Sequence, residues 1–282
     1  MSKLNSKMLV SGAEYFGVEE LNPYEHKGNQ PDIERAIAEH SLLVKAFKQA
    51  GIEIIKADAP EGCQDGIYTA NWALCFKNIA IASSLPNKRK AEEPYARKVI
   101  RQYGYNVIEP PGRFSGQGDC LPCGNYLFVG STYRTDRAIW DFLRDTFGCE
   151  IVGVETVPAL DSKGNPITNS VTGWPDSYFY DLDLALAPIN ENLIAWCPEA
   201  FTKASRLAIE ATPMEKIEVS LEEAQNGFAC NLVSTGETVI MSPHAPKLQS
   251  EIESRGIKTI TPEITELSKG GGFIRCCSLT LG

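Results

Sequence analysis

An α/β fold of five similar strand–turn–strand–helix units, set around a centre and closed by the chain termini, is predicted by three observations. An apolar strand, a tight polar turn, a second apolar strand and an amphipathic helix recur in that order four times. The first strands of these copies start near residues 67, 119, 181 and 227, a loose repeat. The segments left over at the two ends supply the parts of a fifth copy. An α/β sheet of parallel strands is the competing arrangement, but turn-linked strand pairs favour the repeated unit.

Taken along the chain, KMLVSGAEYF reads as a strand and IERAIAEHSLLVKAFKQAG as its helix. The next unit is IYTANWAL, a turn at Lys77-Asn78, IAIAS and the helix EEPYARKVIRQYG. GDCLP, a turn at Gly124-Asn125, YLFVGS and TDRAIWDFLRDTFG form the following one. Then come YDLDLALAPI, a turn at 190–192, LIAWC and EAFTKASRLAIE. The last full unit is FACNLVS, a turn at Thr235-Gly236, TVIMS and APKLQSEIESRG. FIRCCSLTL is left to pair with the N-terminal strand. Lys-Asn, Gly-Asn and Thr-Gly tolerate positive φ, which suits hairpin turns. Gly51, Gly104, Gly148 and Gly256 stop the helices. The whole of 1–282 is therefore expected to be one domain.

Composition narrows the function classes. Of 282 residues 43% are hydrophobic and 22% charged, which excludes disorder and coiled coil as overall descriptions. A net charge of −9 argues against phosphate backbones and anionic lipid, so neither nucleic acid nor membrane is expected as a partner. No stretch approaches roughly 18 apolar residues, and MSKLNSKMLVSG lacks the apolar core of a signal peptide. Nine scattered cysteines fit a reducing cytoplasm rather than a disulfide framework. A homo-oligomer is compatible with all of this.

If the units ring a centre, the starts of their first strands face a shared cavity. The segments that reach it are 63–71, 114–119, 181–183, 270–276 and the loop around Asn22. Three glycines, Gly270 to Gly272, let backbone approach a ligand. Cys276 follows them beside Arg275, a setting for a nucleophile of lowered pKa or, the stronger reading of this stretch alone, for a buried structural thiol. Cys120-Leu121-Pro122-Cys123 has redox or zinc spacing. Strand-like flanks and the lack of a second ligand pair speak against both, so no metal and no cofactor are expected. The turn-rich stretch DSKGNPITNSVTG (161–173) reads as a lid or as an inert excursion. Trp72 reads as pocket wall or as core.

Four patches, CQDGIYTANWAL, FSGQGDCL, YDLDLALAP and GGGFIRCCSLTL, resemble in order and spacing the guanidino-group-modifying (amidinotransferase/amidinohydrolase, or pentein) superfamily. The similarity spans 8–282 and points to dimethylarginine dimethylaminohydrolases and arginine dihydrolases. It implies a five-bladed αβ-propeller with fivefold pseudosymmetry and attack by Cys276 on a guanidine or amidine carbon. By the same resemblance Asp65 contacts a substrate α-ammonium, Arg89 and Arg134 clamp an α-carboxylate, and Asp183 contacts the guanidinium. Asn71 and the Asn22-Pro23 pair match the arginine dihydrolases.

Two positions depart from the family pattern. Asp181 stands where the family has His, and Ser115 where it usually has an acid. The chain's histidines, His26, His40 and His244, lie elsewhere. The expected substrate is a guanidino-bearing amino acid, hydrolysed through a covalent amidino-thioether with Asp181 as acid/base. Asp181 and Asp183 are expected on one strand face, their repulsion raising the pKa of one. The alternative is a diverged relative, an amidinotransferase or a protein without catalysis, that binds an arginine-like ligand.

Overall fold

The computed structural model describes residues 4–281, so positions 1–3 and 282 of the expected unit lie outside the described residues. It contains five three-stranded sheets, each with a helix. The N-terminal unit holds β1 (Lys7–Ser11), α1 (Ile33–Gln49) and β2 (Glu53–Ala57). The next holds β3 (Ala73–Phe76), β4 (Ile79–Ala82), α2 (Glu92–Gln102) and β5 (Asn106–Ile108). It is followed by β6 (Cys120–Cys123), β7 (Tyr126–Gly130), α3 (Ala138–Phe147) and β8 (Glu150–Val154). The fourth comprises β9 (Leu186–Asn190), β10 (Leu193–Trp196), α4 (Lys203–Glu210) and β11 (Glu215–Glu218). After α5 (Leu221–Gly227) come β12 (Val233–Ser234), β13 (Thr238–Ile240), α6 (Pro246–Ser254) and β14 (Lys258–Ile260). Finally β15 (Leu279–Thr280) pairs antiparallel with β1 through Met8–Thr280 and Leu9–Leu279, completing the first sheet as expected.

Each sheet joins an antiparallel strand pair, a hairpin in all but the first sheet, to a third strand parallel to the middle one. The third strands were not foreseen. They run three to five residues and mix exposed and half-buried positions with at most two buried ones, so they read as loops between a helix stop and the next unit. The helix α5 was missed for the same reason, although Ser220 caps it by accepting from Glu223 N. The helices end near the expected glycines. At α3 the N–H of Gly148, at φ 63°, donates to Arg144 O, a left-handed cap suited to glycine. Lys77 and Asn78 both take positive φ in the β3–β4 hairpin, as its two-residue turn requires.

Neighbouring units meet through their first strands: β15 against β3, β6 against β9 and β9 against β12. Between the last unit and the first, Asn5 Nδ2 donates to Ser234 O (2.8 Å). The first strands are shorter than predicted, and the correction has one form throughout. The N-terminal half of each predicted strand is a tight turn instead: Thr69–Trp72 before β3, Gly116–Gly118 before β6 and Leu182–Leu184 before β9. Residues 229–230 and 274–277 turn in the same way before β12 and β15. Trp72 is core, edge-on to Tyr95 at 5.7 Å between ring centres.

Candidate active site

The chemistry-bearing side chains sit on these turns, and most of their contacts run from one unit to another. Cys276 is 2% exposed. Its Sγ lies 3.4 Å from Asp183 Oδ2 and accepts from Asn231 Nδ2 at 3.2 Å. The other face of Asn231 shapes the turn: its Oδ1 accepts from the backbone N–H of Phe273, Arg275 and Cys276 at 3.1, 3.0 and 3.2 Å. Asn231 escaped the sequence reading. It stands two residues before β12 just as Asn71 stands two before β3, so the register of the repeat was the available signal.

Burial raises the Cys276 thiol well above its ordinary range, and the charges of Asp183 and Asp181 push the same way. The expectation of a lowered pKa from Arg275 is therefore overturned. Arg275 points away, donating to Gln117 Oε1 (2.9 Å) and Thr280 Oγ1 (3.0 Å). Cys276 also lies on the turn rather than on a strand.

Asp183 is likewise raised well above the usual carboxylate range, by burial first and then by Asp181, with Arg275 opposing. The two carboxyls do not share a strand face, because Asp181 precedes the Leu182–Leu184 turn and Asp183 lies within it. Asp183 faces Cys276. Asp181 faces the neighbouring units, where Oδ1 accepts from Ser115 Oγ (2.8 Å) and Oδ2 from Asn71 Nδ2 (2.9 Å) and Arg134 Nη1 (3.3 Å). Ser115, Asn71 and Asp181 thus meet across three units. Gly118 makes the junction fit: a Cβ there would come within 2.5 Å of Asn71 Nδ2 and 2.8 Å of Asp181 Oδ2. Gly118→Ala is expected to cut turnover about 10²-fold by displacing both groups, since a displacement near 1 Å costs about that much. Steady-state kinetics beside a melting curve checks it, and turnover at the wild-type level would show that the junction does not matter.

Arg134 is 6% exposed and lies over the Tyr180 ring, 4.2 Å from its centre. Arg89 is bound on every side: Nε and Nη2 donate to Glu92 at 2.8 Å each, and Nη1 to Asn71 Oδ1 at 2.7 Å. Its carbonyl-directed bond to Asp65 O (3.1 Å) fixes that loop as well. Arg89 therefore positions Asn71 and Asp65, which corrects its reading as an open carboxylate clamp. Asn22 is a brace too, donating to Glu25 Oε1 (2.6 Å) and Gly270 O (3.1 Å). The glycine run approaches the protein itself: a Cβ on Gly271 would strike Asn22, and one on Gly272 would meet Tyr68 and Cys276 Cβ at 2.6 and 2.9 Å.

Asp65 is 3% exposed, and its Oδ1 is buried without a partner. Burial lifts its pKa to about 8, Arg89 opposing and Glu25 and Glu92 adding. A carboxyl near 3.9 when unfolded and about 8 when folded binds more protons in the fold between those values, so stability falls as pH rises through that window. Asp65→Asn removes this penalty. Its melting temperature relative to wild type is expected to climb from pH 5 to pH 8; a flat difference would mean that Asp65 is ionised in the fold throughout.

Asp119, the other acid of the centre, accepts from Thr135 Oγ1 (2.6 Å) and Leu182 N (2.9 Å), and burial with Asp181 lifts it to about 7. Over Arg134 lies a cavity of only about 20 Å³, walled in part by Leu21, Pro23, Trp174 and Tyr180. The stretch 161–173 lies within an excursion pinned by the bridges Leu160–Pro166 and Thr168–Pro175, and Asn169 Nδ2 ties it to Glu20 O (3.1 Å). Cys120 and Cys123 are separate buried thiols, Cys123 Sγ meeting Asn190 O at 3.3 Å. Among the described residues no group of three or more His, Cys, Asp or Glu is placed to hold a metal ion, and no helix is long and apolar enough to cross a membrane.

A buried Cys beside a carboxyl, held on turns of five such units, is the arrangement that the resemblance to the guanidino-modifying pentein superfamily implies, and solved proteins share the fold. The N-terminal domain of ArgZ, covalently bound to a reaction intermediate, superposes with a TM-score of 0.87 at 24% identity, over 98% of this chain and 97% of that one. The Pseudomonas aeruginosa dimethylarginine dimethylaminohydrolase in complex with citrulline superposes at 0.76 and 19% identity, over 98% and 99%. The chain belongs to the family described as "N,N dimethylarginine dimethylhydrolase, eukaryotic", whose model matches residues 19–281. The N(G),N(G)-dimethylarginine dimethylaminohydrolase of Mycobacterium tuberculosis is 26% identical over 93% of this chain and 80% of its own length. The bifunctional arginine dihydrolase/ornithine cyclodeaminase ArgZ of Synechocystis is 26% identical over 97% of this chain, which spans 37% of that protein.

Proposed function

We propose that residues 1–282 form one five-bladed αβ-propeller domain that hydrolyses a C–N bond of a guanidino-bearing amino acid, arginine or a derivative. The observation that carries this reading is the Cys276–Asp183 contact at 3.4 Å, among more buried carboxyls than buried arginines. Such a centre attracts a cation. A planar guanidinium beside Asp183 favours both the carboxylate and the thiolate, whose like charges repel in the empty site. The Cys276 thiol gives up its proton, the thiolate attacks the guanidinium carbon, a C–S bond forms, and the C–N bond to the departing nitrogen breaks as that nitrogen takes up the proton the thiol released. Water then attacks the thiouronium carbon, the C–S bond breaks, and Asp181, with Ser115 on its Oδ1, takes the proton of the attacking water.

Substrate ends are met by Arg134, for a carboxylate, and by the unpartnered Oδ1 of Asp65, for an ammonium. A cavity of about 20 Å³ admits about one water, so an amino acid enters only when the Leu21–Pro23 and 172–174 segments lift together as a lid. Intact-mass measurement during turnover of arginine, methylarginines and agmatine tests the reading. The expected result is an adduct on Cys276 with release of ammonia or an alkylamine, lost in Cys276→Ala. Binding of these compounds without adduct or release would identify a non-catalytic ligand-binding relative.

A further inference from the structure

A second cavity, of about 480 Å³, opens beyond the catalytic turns. It is lined by the first strands themselves, including Leu121 on β6 and Leu186 and Pro188 on β9, together with Leu232 just before β12. Asp183 and Arg275 lie at its catalytic end. Cys276 is not part of it. The size and the largely apolar wall with a few convergent polar groups are those of a small-molecule site.

Arg275 gives the cavity its chemistry. It is 6% exposed, and its guanidinium bonds in the structure go to neutral oxygens, Gln117 Oε1 and Thr280 Oγ1. Among the described residues no carboxylate forms an ion pair with it within 4.0 Å. Burial holds its pKa below the ordinary arginine value, with Asp183 offsetting part of that. A buried cation with no carboxylate in ion-pair range is costly, and truncating it or pairing it both relieve that cost. Arg134 and Arg89, by contrast, each face a carboxylate, at 3.3 and 2.8 Å.

We propose that this cavity is a second ligand site, distinct from the substrate centre, for a small monocarboxylate with an apolar body, its carboxylate on Arg275 and its chain against Leu121, Leu186 and Leu232. The substrate of the catalytic centre is cationic at its reacting end, whereas this site takes an anion whose tail is apolar. The two sites share one wall, Asp183, and Arg275 sits next to the catalytic Cys276 in the chain, so occupancy of the one lies within contact range of the other.

Titration calorimetry on the full chain with octanoate, and with octanol as the uncharged control, tests the proposal without reference to turnover. Octanoate is expected to bind the wild type at least about tenfold more tightly than octanol, the usual effect of a charged hydrogen bond. Arg275→Gln should bring octanoate down to the octanol level. Pro188→Phe, which narrows the cavity from its half-exposed rim, should weaken both and covers the case in which Arg275→Gln does not fold. Arg134→Ala should leave octanoate binding unchanged. No octanoate binding to the wild type, equal affinity for octanol, indifference to Pro188→Phe, or loss on Arg134→Ala would each overturn the proposal, the last by placing the ligand in the substrate centre.

Discussion

Replacing Asp183 with Asn is expected to make Cys276 more reactive toward a neutral alkylating reagent while turnover falls by about 10²–10⁴-fold. The two effects run in opposite directions for one reason. In the free protein the negative charge of Asp183 disfavours a thiolate 3.4 Å away, so removing that charge lowers the thiol pKa toward its ordinary value and speeds alkylation at a given pH. During turnover the same carboxylate pairs with the guanidinium and orients its carbon on Sγ, and Asn supplies no charge for that. Binding of the guanidino end should weaken by about 1.5–3 kcal/mol, the scale of a charged hydrogen bond. Iodoacetamide kinetics across pH, set beside steady-state kinetics, separates the two. Alkylation slower than wild type would show that Asp183 does not hold the thiol protonated.

Asp181→Asn carries the second large effect. Turnover is expected to drop about 10²–10⁴-fold with guanidino binding nearly intact, because Asp181 touches Ser115, Asn71 and Arg134 rather than the thiol. The adduct should then accumulate on Cys276, since water activation fails while attack by sulfur survives. Mass spectrometry during turnover reads this directly. An unchanged rate would remove Asp181 from the reaction. So would a gain of arginine hydrolysis from none on Asp181→His, which would mean that the natural chain had given up that reaction.

The fold was legible because its repeat is carried by features that sequence displays: apolar strand pairs, turn residues of positive φ and helices stopped by glycine. Closure of β15 on β1 followed from counting units. The parallel third strands were not legible, since three-residue segments such as β5 and β14 have no period long enough to read. At the site, Cys276, Asp183, Asn71 and Asp181 were singled out through their motifs, and the structure brings Cys276 to Asp183 and Asn71 to Asp181. Their electrostatics were not legible. Burial, invisible in sequence, decides the pKa of Cys276 and Asp65 more strongly than any neighbour along the chain. Arg89 shows the same limit, because its bidentate partner Glu92 lies three residues on and reads as an ordinary helix-start acid.

The cross-unit contacts set a rule for how such a centre changes over time. Ser115 and Asp181 are 66 positions apart, yet share one hydrogen bond, and they stand on turns of different units. A replacement on one turn leaves the local unit folded but strands its partner on another. Tolerated changes should therefore arrive as matched pairs from different units. In a panel of homologues, covariation should be strongest between turns and weakest within them, the reverse of what an array of independently packed repeats would give.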